Sequence, residues 1–297
     1  MLKKAIVGGV VLGGGFGVAS LIVYRARLKG NSAISATDYH KKQQNLIDEI
    51  LKSPPEKIKN LDMTLYRYTT CPFCAKLQTF LDYHNLKYDI VEVNPLTKKE
   101  IKGNEYPKVP QLKLGENGPI VVDSDAIVGM LDPVLDQNQS NRDVEDQEKW
   151  RTWAREKLVR YMVLNTNRTL SEANLGYKYV DNIPTFSSFD RLTLKALGGM
   201  IMYLVANNVT NKKLQTLGYD GKDPRAALYT EVNSWVGDGV KDRDFHGGNR
   251  PDLADFDVYG IISSQKFLPV YQDLLDNANP HFSAWVRNMD NVVAKKL

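Results

Sequence analysis

The hydrophobic pattern divides the chain into four stretches. Ala5 to Tyr24 run twenty residues without a charge, with Lys3 and Lys4 before them and Arg25, Arg27 and Lys29 after. As helix such a run spans about 30 Å, enough to cross a hydrocarbon core. Gly9, Gly13 and Gly17 recur on one face, the small-residue spacing of close helix contacts in lipid. A cleaved signal would have a shorter apolar core and a small-residue cleavage site. The pattern therefore predicts a membrane anchor over residues 1–30, with the heavier basic flank keeping the body of the protein in the cytosol. Residues 31–61 are polar and are expected to be a solvated linker, in which Asp38 to Leu51 can form one amphipathic helix through Leu46, Ile47, Ile50 and Leu51.

From Met63 the period changes. Met63 to Tyr68 and Tyr88 to Val93 alternate as strands, and Pro72 to His84 between them carries Leu77, Phe80 and Leu81 at helical spacing. Thr97 to Lys102 is a short basic helical turn. Gln111 to Leu114 and Ile120 to Val122 flank Gly115-Glu-Asn-Gly118 as a hairpin. Asp123-Ser124 then opens a helix through Ile127, Val128, Met130 and Leu131, expected to stop at Pro133. The order β-α-β-α-β-β-α predicts an α/β domain over residues 62–138. From about Gln147 the pattern is helical throughout. Trp150, Trp153, Leu158, Tyr161, Met162 and Leu164 form one core stripe; Leu192 to Val205 and Ala226 to Val236 repeat the spacing. Residues 139–297 are thus predicted all-helical.

Composition changes this picture little. With 297 residues and a formal charge of +4 the chain has room for two domains and no charge argument for nucleic acid. Two cysteines give no disulfide framework and suit a reducing compartment.

Those two cysteines carry the chemistry. In Thr69-Thr-Cys71-Pro-Phe-Cys74 a strand ends and a helix begins, with Pro72 at the first helical position, where its missing N–H costs nothing. Cys71 falls at the N-cap, where free N–H groups and the helix dipole favour a thiolate. Cys74 lies one turn on, within disulfide reach and more buried. A structural zinc site would need a second ligand pair, and His40, His84, His246 and His281 are scattered. Cys-x-x-Cys beside a strand–helix unit reads as a thioredoxin-type site. Asp252 and Asp255 have the spacing of an N-cap and its reciprocal partner three residues on. His246 falls in a Gly-rich stretch expected to be solvated.

Cys-Pro-Phe-Cys, Val109-Pro110 before the hairpin and Asp123-Ser124 opening a helix together resemble the glutaredoxin-like half of glutathione transferases, and the Asp252–Asp255 element resembles the buried cap of their helical half. The resemblance covers roughly residues 62–295. It implies a thioredoxin-like (glutaredoxin-like) domain followed by an all-α transferase domain, a cis Val109–Pro110 bond, and glutathione as cofactor. Val109 would pair with its cysteinyl main chain beside Pro110, Ser124 would hold the γ-glutamyl carboxylate, and Asp123 would face the glutamyl ammonium. Glutaredoxins carry lysine three residues before the first cysteine; this chain has Tyr68. Most thiol-type transferases lack the second cysteine; this chain keeps Cys74. Tyr68 with Cys-Pro-Phe-Cys, Phe80 to Tyr88, Val91-Glu-Val-Asn-Pro95, Lys108-Val-Pro110 and Leu253 to Gly260 is similar to the membrane-associated prostaglandin E synthases of that superfamily. That similarity implies isomerisation of prostaglandin H2 to prostaglandin E2, a catalytic Tyr68/Cys71 pair, a Golgi or perinuclear membrane location with a processed soluble form, a homodimer, and haem beside glutathione. Two competing readings stay open: a glutathione-dependent disulfide oxidoreductase of glutaredoxin type, and a membrane-anchored glutathione and haem binder without physiological turnover. No haem axial ligand is evident, and nothing in the helical half marks a fatty-acid-sized pocket.

Overall fold

The structure, a computed structural model, describes residues 34–136 and 143–293. The expected anchor over 1–30 and the domain boundary at 138–139 lie outside the described residues.

A four-stranded mixed sheet forms the first half: β1 (Met63–Arg67), β2 (Tyr88–Glu92), β3 (Gln111–Leu114) and β4 (Ile120–Val122), in the order β2-β1-β3-β4. β1 pairs parallel with β2 and antiparallel with β3. The parallel pair needs a crossover, and the helix Pro72–Tyr83 supplies it. The expected second helix of this half is a single 3₁₀ turn, Lys99–Ile101. The helix opened by Asp123-Ser124 runs to Leu135 and holds Pro133 within its last turn rather than ending there.

The polar stretch before the sheet is not a free tether. It forms three short helices, α1 (Ala36–Lys41), α2 (Gln44–Leu51) and α3 (Pro55–Lys59), so the single helix expected from Asp38 to Leu51 is broken at Lys42-Gln43. The break has a use. The Gln43 side-chain amide donates to Ile120 O (3.3 Å) and accepts from Ile120 N (3.1 Å), so it completes the edge of β4 as a strand would. His40 accepts from Val122 N through Nε2 at 2.9 Å, and Ile47 and Ile58 are fully buried in the main core. Apolar burial at these two positions outweighs the solubility of the residues around them. After α3, the crossover helix Pro72–Tyr83 is α4 and Ser124–Leu135 is α5.

The second half is helical: α6 (residues 144–166), α7 (Leu170–Leu175), α8 (Ser188–Gln215), α9 (residues 224–240), α10 (Leu253–Ser263), α11 (Pro269–Asn277) and α12 (Pro280–Val293). Trp150, Trp153, Trp235 and Trp285 form one aromatic cluster, with Trp235 edge-on to Trp150 (5.3 Å) and Trp285 (5.4 Å). α10 is buried along its whole length and crosses α4 at Gly260, where a Cβ would lie 2.3 Å from Lys76 Cα. Beside this crossing Lys76, only 2% exposed, pairs with Asp257 at 2.8 Å and with Asp125 of α5. Arg151 of α6 joins the same two carboxylates at 3.1 and 2.9 Å. Burial lifts the Asp257 carboxyl against the pull of both cations, whereas at the more open Asp125 burial is outweighed by Lys76 and Arg151.

Asp252 caps α10 and shares a reciprocal capping box with Asp255, as its spacing requires. His246 is a correction: its ring is 4% exposed, not solvated. Its Nδ1 meets Asp252 at 2.7 Å and its Nε2 meets Asp146 at 3.1 Å, and the ring stacks on Trp235. The glycines around it allow the chain to fold back: a Cβ on Gly247 would lie 2.4 Å from Arg250 O. Asp255 accepts from the main chain of His246, Gly247 and Asp252 and from Trp285 Nε1, so these buried carboxylates are spent on capping.

Two predictions come from this packing. Gly260→Ala forces α10 and α4 apart and is expected to destabilise by roughly 1–3 kcal/mol or more, lowering the calorimetric Tm by several degrees. The second concerns pH. Burial would lower the His246 pKa, but the hydrogen bond and charge of Asp252, with Asp255 and Asp146, raise it above the ordinary value. Burial and the Asp252 charge push Asp255 up to about 7. Both groups bind a proton more tightly folded than unfolded, so their contribution is lost as pH rises through the folded pKa. Denaturant midpoints are expected to fall as pH rises from about 4 through 7 on account of Asp255 and onward from 6.5 on account of His246, with a flatter profile above pH 6.5 in His246→Gln.

Candidate functional site

Cys71 occupies the N-cap of α4 with extended φ and ψ, Pro72 takes the first helical position, and the Cys71 carbonyl accepts the first intrahelical bond from Ala75 N at 3.0 Å. The thiol is half-buried, whereas Cys74 is 1% exposed. Neither cysteine is in a disulfide. Burial pushes the Cys74 thiol well above its usual range, and its hydrogen bond to the Cys71 sulfur and the Cys71 charge push it further. The pair is thus polarised: Cys74 keeps its proton and donates it toward Cys71, whose position at a helix N-terminus favours negative charge.

Cys71 opens onto a cleft of about 370 Å³ between the sheet half and the helical half. Tyr68, Thr70, Cys71, Phe73, Lys98 and Val109 form one wall. Met162, Val163, Tyr177, Tyr179, Met202 and Leu268 face them from the helices. The volume is within the range of small-molecule sites, and the far wall is mostly apolar, with Tyr177 and Tyr179 in it. The Val109–Pro110 peptide is cis, as the motif implied. Val109 lines the cleft and Pro110 is buried behind it.

Asp123 and Ser124 open α5. Asp123 has a positive φ of 71° and its Oδ1 accepts from Asp125 N and Ala126 N, so it caps the helix; Ser124 is 4% exposed. Neither is among the residues that wall the cleft. The structure therefore brings Tyr68, Cys71 and Val109 into one space, sets Cys74 and Pro110 beneath it, and leaves Asp123 and Ser124 beyond its walls.

The helical wall was invisible in the sequence. Met162 belongs to a stripe read as core, and Tyr177, Tyr179 and Met202 belong to the segment between α6 and α9. That segment builds its own small core from Tyr177, Tyr179, Val180, Phe186 and Leu194, with Leu96 of the sheet half against it. Asp190 ties it down: it accepts from Asn94 Nδ2 (2.8 Å) and Lys99 Nζ (2.8 Å), and the Lys99 bond and the Ser187 cap hold its carboxyl at about 2. The loop so fixed carries Lys98, held at φ 50°, with Nζ on Pro107 O at 2.7 Å. No local pattern signals these contacts, which join residues some ninety positions apart.

Among the described residues one group, His246, Asp252 and Asp255, has metal-ligand spacing, but its atoms are engaged in the cap of α10. No histidine lines the cleft. In the native chain iodoacetamide is expected to alkylate Cys71 and leave Cys74 unmodified until the protein is unfolded, as peptide mass spectrometry would register.

Residues 65–138 match the family model described as glutathione S-transferase, N-terminal domain. Among solved structures, glutaredoxin 2 of Salmonella typhimurium in complex with glutathione superposes with a TM-score of 0.49 at 13% identity, covering 80% of this chain and 97% of that one. Prostaglandin E synthase 2 of Mus musculus is 30% identical over 300 residues, covering 86% of this chain and 76% of that protein. Prostaglandin E synthase 2 of Danio rerio is 33% identical over 264 residues, covering 73% and 68%. With relatives of this identity matched over most of their length, the chain belongs to the prostaglandin E synthase 2 family.

Proposed function

We propose that this chain is a prostaglandin E synthase, an isomerase that converts the endoperoxide of prostaglandin H2 into the hydroxyketone of prostaglandin E2. The observation that carries the reading is a polarised thiol at a helix N-terminus, open to an apolar cleft, in a chain of this family.

The chemistry needs a soft nucleophile, because the O–O bond is weak and polarisable. The Cys71 thiolate attacks the oxygen on C9, forming an S–O bond and releasing the oxygen on C11 as an alkoxide, which takes up a proton. Loss of the C9 hydrogen as a proton then sends its electron pair into the carbonyl as the S–O bond breaks. The thiolate returns, one proton has been gained and one lost, and no external oxidant enters. Tyr68, on the same wall, is assigned to donate to the developing alkoxide. Cys74, held protonated, keeps charge on Cys71. The apolar face of Met162, Val163, Met202 and Leu268 would take the two aliphatic arms of the substrate.

Glutathione fits two elements. The main chain of Val109, at the cleft wall, would pair with its cysteinyl unit, with Pro110 fixing that turn. The second is Ser124 in the first turn of α5, which would hold the γ-glutamyl carboxylate with Asp123 beside it, the Asp125 and Ala126 N–H groups of that turn being already bonded to the Asp123 side chain. When bound, it would supply a second thiol. Haem does not fit: the cleft lining offers no imidazole, and its one thiolate is the reacting group. We further assign residues 1–30 to a membrane anchor, 62–138 and 139–297 to the two domains, a homodimeric assembly, and a cytosolic face at Golgi or perinuclear membranes, with a processed soluble form.

The direct hydrogen bond between two thiols that are not in a disulfide favours one other reading, a disulfide oxidoreductase using both cysteines. Product analysis separates the two. Cys71→Ser is expected to lower prostaglandin E2 formation at least about a hundred-fold and Tyr68→Phe about ten-fold, while Cys74→Ser keeps most of it. Equal activity in Cys71→Ser and the parent would defeat the thiolate mechanism; reduction of a protein disulfide that requires both cysteines, without prostaglandin turnover, would favour the oxidoreductase.

A further inference from the structure

The turn that carries Tyr68 and Cys71 lies outside both the strand before it and the helix after it, so something must hold it. We propose that Glu92, at the end of β2, is the positioning residue for Cys71, fixing the Thr69–Thr70 turn by accepting the Thr69 main-chain N–H. This inference rests on Cys71 as the reacting thiol.

Glu92 is 6% exposed. Its carboxylate takes the N–H of Thr69 through one oxygen and Arg67 Nε at 3.3 Å through the other, and the Thr69 hydroxyl also donates to it. Arg67 in turn donates to Gln78 of α4, so one hydrogen-bonded chain, Glu92–Arg67–Gln78, links β2, β1, the turn and the catalytic helix. From the opposite side the Thr70 carbonyl accepts from Gln265 Nε2 at 3.4 Å, and Tyr179 hydrogen-bonds the Thr70 side chain. The turn is thereby gripped by the sheet at Thr69 and by the helical half at Thr70, one residue before the nucleophile.

A carboxylate is costly to bury, and burial does raise its pKa. An apolar residue there would pack without that cost but would leave the Thr69 N–H without its acceptor. The need is geometric: Cys71 gains from the helix dipole only while it is held at the N-cap of α4, since the effect fades within the first turn. The same charge acts on Cys74, whose thiol it helps keep protonated.

The test measures the rate of Cys71 alkylation by iodoacetamide against pH in the full chain, with kcat and KM for prostaglandin H2 beside it. Glu92→Asp, one methylene shorter and unable to span Thr69 and Arg67 together, is expected to move the alkylation midpoint up by about one pH unit. It should also lower kcat about ten-fold with KM unchanged. Glu92→Gln keeps an oxygen for Thr69 and is expected to leave the midpoint where it is or lower. Glu92→Ala repeats the Asp result if it folds, and the Asp variant stands alone if it does not. An unmoved midpoint in Glu92→Asp, or an upward shift in Glu92→Gln equal to that in Glu92→Asp, would overturn the proposal. A shifted midpoint in a chain that makes no prostaglandin E2 would instead count against the isomerase reading and leave the role of Glu92 standing.

Discussion

The close crossing of α4 and α10 is the constraint on which the rest depends. At Gly260 two helix backbones meet with no room for a methyl group, and the helix pressed there is the one that begins at Cys71. Several features secure that docking: α10 is buried along its length, its N-terminus is capped by Asp252 and Asp255, and its Asp257 holds Lys76 of α4. A crossing this tight transmits displacement, because packed interiors do not deform smoothly. The buried charges beside it add direction, since Lys76 and Arg151 share the same two carboxylates and fix α4, α5, α6 and α10 relative to one another.

The site uses this rigidity for electrostatics. Two thiols one helical turn apart experience different surroundings: one at the mouth of a helix and half in solvent, the other sealed in the core. Burial and mutual repulsion separate their protonation, so a single proton serves as a hydrogen bond to the nucleophile rather than competing with it. The apolar wall opposite comes from a segment with its own small core, fastened to the sheet half through Asp190. Chemistry and substrate space are thus supplied by different parts of the chain.

Much of this was legible locally. The strands, the catalytic helix and the hairpin follow from period and turn residues; the N-cap position of Cys71 follows from Pro72; the capping box follows from the spacing of Asp252 and Asp255. Each is set by neighbours within a turn or two, where propensity and capping act. The failures share the opposite cause. Residues 31–61 read as a solvated tether because they are polar on average, yet Gln43 completes a strand edge 77 residues away and Ile47 and Ile58 enter the core. His246 read as solvated because glycines surround it, yet those glycines let the chain fold it onto Trp235 and two carboxylates.

By itself, then, the sequence determined the α/β-then-helical order, the polar start of the catalytic helix and the two thiols placed on it, since these are properties of short windows of chain. Only the tertiary structure decided which surfaces face Cys71 and how Glu92, Tyr179 and Gln265 converge on the turn before it. Those are contacts between distant positions, and their energy comes from desolvation and close packing, which no single stretch of residues encodes.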